Sequence, residues 1–134
     1  MIYLDSEACI ALLKGKEGIK QLLDKYNESI AITTPTLFEI YCGIKYYEQK
    51  GITIKAELEI FTQINKFKIF SLDKSAALKA GELWAQLKLS GHMIKIMDIL
   101  IGAIILTQDH KQIITNDEHF SHIPDLITLH YSLD

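Results

Sequence analysis

Ile2-Tyr3-Leu4-Asp5-Ser6-Glu7-Ala8-Cys9-Ile10-Ala11-Leu12-Leu13-Lys14-Gly15 is the stretch that decides the fold of this chain. Three apolar residues run straight into an acid, and the residues after it carry apolar side chains at helical spacing. The reading is a short strand, Ile2 to Leu4, that ends at Asp5 and passes directly into a helix over about Ser6 to Lys14, stopped by Gly15.

Downstream, short apolar runs alternate with longer helical periods. A second helix covers about Glu17 to Tyr26, and Ser29-Ile30-Ala31-Ile32-Thr33 reads as a buried strand. Thr34-Pro35 predicts a helix start, with Thr34 as N-cap and proline at the first helical position; this helix runs to about Gln49, and Gly51 breaks it. A further helix is expected over about Thr53 to Asn65, a strand over Phe67 to Leu72, and a long helix from an Asp73 cap to about Leu89. Ala77, Leu78, Ala80, Leu83, Trp84 and Leu87 form the expected apolar side of that helix. Gly91-His92 is a loop. Met97 to Thr107 is almost wholly apolar, which predicts a central, buried helix. Strands over Gln112 to Thr115 and Leu126 to Leu129 complete the chain. Strands alternating with helices predict an α/β fold: one domain over residues 1–134, with a mostly parallel sheet and helices on both faces. Ligands of such sheets bind beyond the carboxyl ends of the strands, so chemistry is sought there.

Composition bounds the function. The 134 residues are 49% hydrophobic and 23% charged, which excludes a disordered tail, a collagen-like fibre or a disulfide-dense miniprotein. The net charge is -3 and every one of the 14 basic residues is lysine. That balance argues against a nucleic-acid binder until the acids are placed. Cys9 and Cys42, the two cysteines, lie in apolar helical patterns and are expected as buried thiols, with no disulfide framework and no cysteine-ligated zinc. Met1 to Asp5 reaches an acid too soon for a signal peptide, and the apolar run Ile99 to Leu106 falls far short of the roughly 20 residues of a membrane span. A cytoplasmic protein with no membrane partner is expected.

Four acids stand out. Asp5 ends the first strand, where an N-cap and a metal ligand are both in keeping with its place. Asp117 follows the strand of Ile113-Ile114-Thr115, where a cap or an Asx-turn competes with ligation. Asp98 opens the buried helix, and an unpaired carboxylate there costs several kcal/mol unless something compensates. A helix N-terminus returns about 0.3–1 kcal/mol of that cost, and a bound cation far more. Gly102, one turn on, lets other backbone approach. Glu39 is ringed by Leu37, Phe38, Ile40 and Tyr41, more than a turn from most of the polar stripe of Lys45, Glu48 and Gln49, and an inward placement is expected. In a doubly wound sheet these four regions can converge at one edge. Carboxylates packed together cannot all ionise without cations. Oxygen ligands select Mg²⁺ or Mn²⁺, and two such ions about 4 Å apart make a phosphodiester-cleaving site.

The order of these motifs resembles that of PIN-domain ribonucleases, specifically VapC-type toxins of toxin–antitoxin pairs. Tyr3 to Gly15 is similar to the family's opening, Thr34 to Gly43 to its second motif, Gly91 to Leu106 to its third, and Ile114 to Phe120 with Ile123-Pro124 to its fourth. The resemblance covers essentially the whole chain. It implies that Asp5, Glu39, Asp98 and Asp117 are the metal-binding, catalytic acids and that Ser6 and Thr115 supply hydroxyls beside the metals. It also implies a Mg²⁺-dependent endoribonuclease (Mn²⁺ being an alternative), an RNA substrate, a homodimer, and a small VapB-like antitoxin that blocks the site. Gly102 stands where the family more often has alanine, and the missing arginines leave Lys14, Lys16, Lys45 and Lys95 as the cations nearest the motifs. Two alternatives remain at this point: a receiver-like Mg²⁺-binding signalling module, for which Asp73 follows a strand but paired acids and a late lysine are absent, and a non-toxin PIN nuclease acting in RNA processing or on DNA. His119-x-x-His122 beside Asp117 reads as a surface turn, with a metal pair as the alternative, Trp84 as core, and Tyr41, Tyr46 and Tyr47 as a partner-facing patch.

Overall fold

Alternate residues of each strand point to opposite faces of a sheet, and here that alternation builds two cores. The computed structural model describes residues 1–52 and 55–134. Its elements are β1 (Ile2–Leu4), α1 (Ser6–Leu13), α2 (Glu17–Tyr26), β2 (Ile30–Thr33), α3 (Thr34–Gln49), α4 (Lys55–Ile64), β3 (Lys68–Phe70), α5 (Lys74–Ser90), α6 (Ile96–Leu106), β4 (Gln112–Ile114), a 3₁₀ turn (Glu118–His122) and β5 (Ile127–Leu129). Ile2, Leu4, Ile32 and Ile114 pack against α1, α2, α3 and α4 on one face. Tyr3, Ala31 and Ile113 pack against α5 and α6 on the other. The start of the fourth helix, expected at Thr53, lies outside the described residues.

The sheet is wholly parallel, in the order β3-β2-β1-β4-β5. The strand order therefore reverses between β1 and β4. At such a switch point the connections leave toward opposite faces and open a crevice at the carboxyl ends. Asp5 directly follows β1, and Thr115 and Asp117 follow β4, so the reversal puts them at one crevice.

Three expectations need correction. Thr33, not Thr34, caps α3: its hydroxyl accepts from the Thr36 N–H, 3.4 Å away. The Thr34 hydroxyl accepts instead from the Leu72 N–H and ties α3 to the end of β3. Trp84 is not core but 41% exposed. Helix α5 buries only one narrow face, Ala76, Ala80, Leu83 and Leu87, and Trp84 falls one residue outside that stripe, as Leu78 and Ala77 fall outside it. Cys42 is exposed; Cys9 alone is the buried thiol, its pKa pushed up to about 12 by burial and then by Asp5.

Helix α6 is the central element. Gly91, in the left-handed region at φ 76°, ends α5 and turns the chain toward it. Within α6, a Cβ at Gly102 would come within 2.5 Å of Ile123 Cδ1. The glycine thus lets the segment just after the 3₁₀ turn press onto the helix, one turn from Asp98. Gly102→Ala displaces only the end of a flexible side chain and gains about 0.8–1 kcal/mol of helix propensity, so stability is expected to stay within about 1 kcal/mol of the original. Gly102→Val adds branched volume that must move Ile123, and a loss of about 1–3 kcal/mol is expected. Urea titration of both variants checks this.

Candidate active site

The site is assembled from the ends of elements. Asp5 is the N-cap of α1 and only 5% exposed. Its Oδ1 accepts from the Ala8 N–H at 2.8 Å, and its Oδ2 accepts from the Thr115 hydroxyl. Thr115, fully buried, accepts in turn from the Asp117 N–H at 3.0 Å. One hydroxyl thereby couples the residue after β1 to the residues after β4. Capping and site placement are not alternatives for Asp5: the cap fixes one oxygen and the threonine the other. Asp117 likewise caps the 3₁₀ turn, accepting from the His119 N–H at 2.9 Å.

Asp98 lies in the first turn of α6 and is 7% exposed. Its Oδ2 is buried without a hydrogen-bond partner among the described residues. An orphaned buried acceptor costs about 1–3 kcal/mol, and more when charged. His119 Nδ1 stands 3.8 Å from that oxygen and 3.3 Å from Asp117 Oδ1. Ligand atoms of Asp98, Asp117 and His119 all lie within 4.8 Å of one another. His119 lies exposed on a surface turn, as the sequence reading favours, yet its Nδ1 faces both acids, nearer to the metal role which that reading sets second. The signal was present, since a residue two positions after an acid at a strand end shares its turn. His122 does not join it and stacks instead on His92, with ring centroids 5.0 Å apart.

Asp5, Ser6, Glu39, Lys95, Asp98 and Asp117 border one cleft of about 120 Å³. All four predicted acids are therefore brought together, with Glu39 on the solvent-exposed lip rather than inside. Lys95 is the lysine of this cleft among the described residues, at the N-terminal boundary of α6. Burial raises the Asp98 carboxyl pKa, and Asp117 adds to the rise against His119 and Lys95. Burial also raises Asp5, opposed by the hydrogen bonds from Thr115 and Ala8. Desolvation raises Glu39, with Asp98 and Asp5 adding and Lys95 opposing. Three carboxyls shifted upward in one cleft mark a place that holds negative charge only at a cost. The group it fits is a hard cation: the donors are mainly carboxylate oxygens, one of them unpaired, in a space large enough for an ion with water.

The model of the PIN domain family matches residues 2–126. The chain belongs to the PIN-domain family. No curated protein matches this PIN domain by sequence. Solved structures do. The VapBC2 complex of Rickettsia felis, bound to a promoter DNA fragment, is 26% identical with a TM-score of 0.79, covering 98% of this chain and 100% of that one. A toxin–antitoxin complex of Klebsiella pneumoniae is 24% identical at TM-score 0.72, covering 96% and 97%. VapC20 of Mycobacterium tuberculosis, a toxin that cleaves the sarcin-ricin loop, shares the fold at 14% identity and TM-score 0.67, covering 90% and 93%. The chain thus has the fold of VapC-like toxins. The receiver-like alternative falls, and Asp73, which it required, simply caps α5 at the edge of the sheet, accepting from the Ala76 N–H at 2.8 Å. Among the described residues no helix is long and apolar enough to cross a membrane.

The raised carboxyl pKa values set a pH dependence. In the metal-free state the folded protein holds protons that the unfolded chain has already released. The contribution of these groups to stability is complete below the ordinary carboxylate range, about pH 4, and is lost as the pH rises through the raised values. Asp98→Asn is expected to flatten that decline and to raise the thermal midpoint at pH 7 by about 3–6 °C. Circular dichroism melts across pH in the presence of chelator measure it.

Proposed function

We propose that this chain is the toxin of a type II toxin–antitoxin pair and a divalent-metal-dependent endoribonuclease of the cytoplasm. The observation that carries the proposal is the buried, unpartnered Asp98 Oδ2 beside Asp117 and His119 at the switch point of a PIN-fold sheet. Asp98, Asp117, Asp5 and Glu39 would hold Mg²⁺ or Mn²⁺, and the nearby His119 nitrogen favours tolerance of Mn²⁺. The cation, when bound, supplies Lewis-acid charge to a phosphodiester and lowers the pKa of a water.

The chain's own residues do the rest. The bonds from Ala8 and Thr115 fix the Asp5 carboxylate before any ligand arrives, so little reorganisation is spent on it. Ser6 opens α1 at the cleft wall, and its hydroxyl is available to a phosphate oxygen. Lys95 offsets part of the acid charge and meets the incoming backbone of the RNA. With lysines as the sole strong cations, binding should be weak without metal and steeply salt-dependent.

The antitoxin reading rests on the toxin–antitoxin complexes among the similar structures. A homodimer is supported by the apolar Trp84 and Leu89, left exposed together along α5, a surface that a second copy would cover.

Purified protein is expected to cut single-stranded RNA with Mg²⁺ or Mn²⁺ and to stop with chelator. Asp98→Asn should lower the rate at least about 100-fold with an unchanged circular dichroism spectrum; equal cleavage by the variant sinks the assignment. Thr115→Val frees the Asp5 carboxylate and should weaken metal binding about 10–100-fold, read by calorimetric titration. Inducible expression should arrest bacterial growth for the original chain but not for Asp5→Ala.

A further inference from the structure

A second cleft, of about 360 Å³, opens from the acid cleft and shares Ser6 and Glu39 with it. Its walls are two helices that both leave the carboxyl edge of the sheet, α1 after β1 and α3 after β2. Each contributes residues four apart. Ser6, Ile10 and the C-cap Lys14 line it from α1 and its end, and Glu39, Gly43 and Tyr47 from α3. Residues at that spacing fall on one face of a helix, so the two stripes face each other along about 12 Å, eight residues at 1.5 Å each.

The chemistry changes along this length. At the inner end lie the acids proposed to hold a cation. In the middle the walls are apolar, with Ile10 opposite a gap at Gly43 where an added Cβ would meet nothing within 4 Å. At the outer end stand an ammonium, Lys14, and an aromatic ring, Tyr47, which is 40% exposed. A flat uncharged ring system flanked by two anions matches that order. The cation site takes one phosphate, the apolar walls and Tyr47 take a base, and Lys14 takes a further phosphate of the strand.

We propose that this groove is a nucleobase subsite, which binds an unstacked base of the RNA adjacent to the cut phosphate and so sets where the chain cleaves. The assignment rests on the ribonuclease reading and deepens it. Continuity with the acid cleft argues for this occupant, because a strand whose phosphate meets the acids can lay an attached base into the adjoining groove. The order of charge also argues for it, since Lys14 offers an ammonium to a further backbone phosphate of a bound strand.

Gly43 provides the test. Gly43→Leu fills the groove without meeting other atoms at its Cβ and replaces glycine in a helix with a better helix former, so its thermal midpoint should match or exceed the original. The assay uses a single-stranded oligoribonucleotide with one mapped cut, and copies of it each carrying one abasic residue, with Mn²⁺ present. For the original protein, an abasic residue at one position within two nucleotides of the cut should lower kcat/KM about 5- to 150-fold, the range of base–aromatic stacking. Gly43→Leu should cut the intact strand slower by a similar factor and lose nothing further on the abasic copy. Tyr47→Ala should behave likewise, and Tyr47→Phe should restore the original preference. A flat abasic scan, or a Gly43→Leu protein that cuts as the original does, overturns the subsite. Gly43→Leu that cuts normally but escapes inhibition by the antitoxin gives the groove to the antitoxin instead and also overturns it. No cleavage of the intact strand by the original protein overturns the nuclease reading itself, an outcome visible before any variant is compared.

Discussion

One carboxylate oxygen that nothing among the described residues satisfies, Asp98 Oδ2, is the constraint on which the site depends. Protein interiors seldom leave a charged acceptor unpaired, because the group then keeps its full desolvation cost. Here the oxygen stands at the first turn of the most buried helix, where the helix dipole compensates only in part. Neighbouring Asp117 makes matters worse rather than better, and His119 at 3.8 Å is too far for a hydrogen bond. The surrounding fold is stable enough to impose this arrangement. Helix α6 has Ile99, Ile101, Ile104 and Ile105 essentially buried, so it stays docked whether or not its acid is content.

The remainder of the site is arranged around that imposed charge. A reversal of strand order brings β1 and β4 side by side, and the Thr115 hydroxyl links their ends through Asp5 and the Asp117 N–H. Two of the four acids are therefore held by backbone and hydroxyl donors, and Asp98 is held by burial. Glu39 differs in kind: it stands on an exposed lip, where it can follow a ligand at little cost. Acids fixed by hydrogen bonds or burial inside and an exposed one outside suit the capture of an ion from water. The close approach of Ile123 to Gly102 completes the arrangement, since it seats the turn that carries Asp117 and His119 against α6.

Much of this was legible before any coordinates. The passage from Leu4 through Asp5 into an apolar helix places an acid at a strand end, and the alternation of strands with helices along the chain predicts a parallel sheet whose carboxyl edge can collect the acids. What was not legible depends on which part of a helix finds a neighbour. Trp84 fits the apolar period of α5, but α6 covers a stripe one residue to its side, and periodicity cannot tell a wide buried face from a narrow one. Cys42 is exposed for the same reason, on a helix whose buried residues are Pro35, Thr36, Ile40 and Ile44. His119 was hidden by its local role, because a turn that caps itself through Asp117 looks complete in sequence while its side chain reaches across to α6. Lys95 gained its place only from the packing of α6 against the sheet edge.

The same unmet charge bears on control as well as catalysis. An oxygen that lacks a partner accepts any cation that can reach it, whether an ion or the side chain of a protein. On the proposed reading, a toxin's metal and its antitoxin then compete for one deficit, and the pair needs no separate inhibitory site. The absence of arginine from this chain sharpens that economy. No guanidinium of its own can fold back into the cleft to satisfy Asp98, and Lys95 relieves the acids only in part, since the Asp98 and Glu39 carboxyls remain raised beside it. The net charge of -3, which first argued against a nucleic-acid substrate, is thus a property of the unloaded protein. Two divalent ions would reverse its sign, and on the proposed reading they would do so at the edge where a phosphodiester approaches.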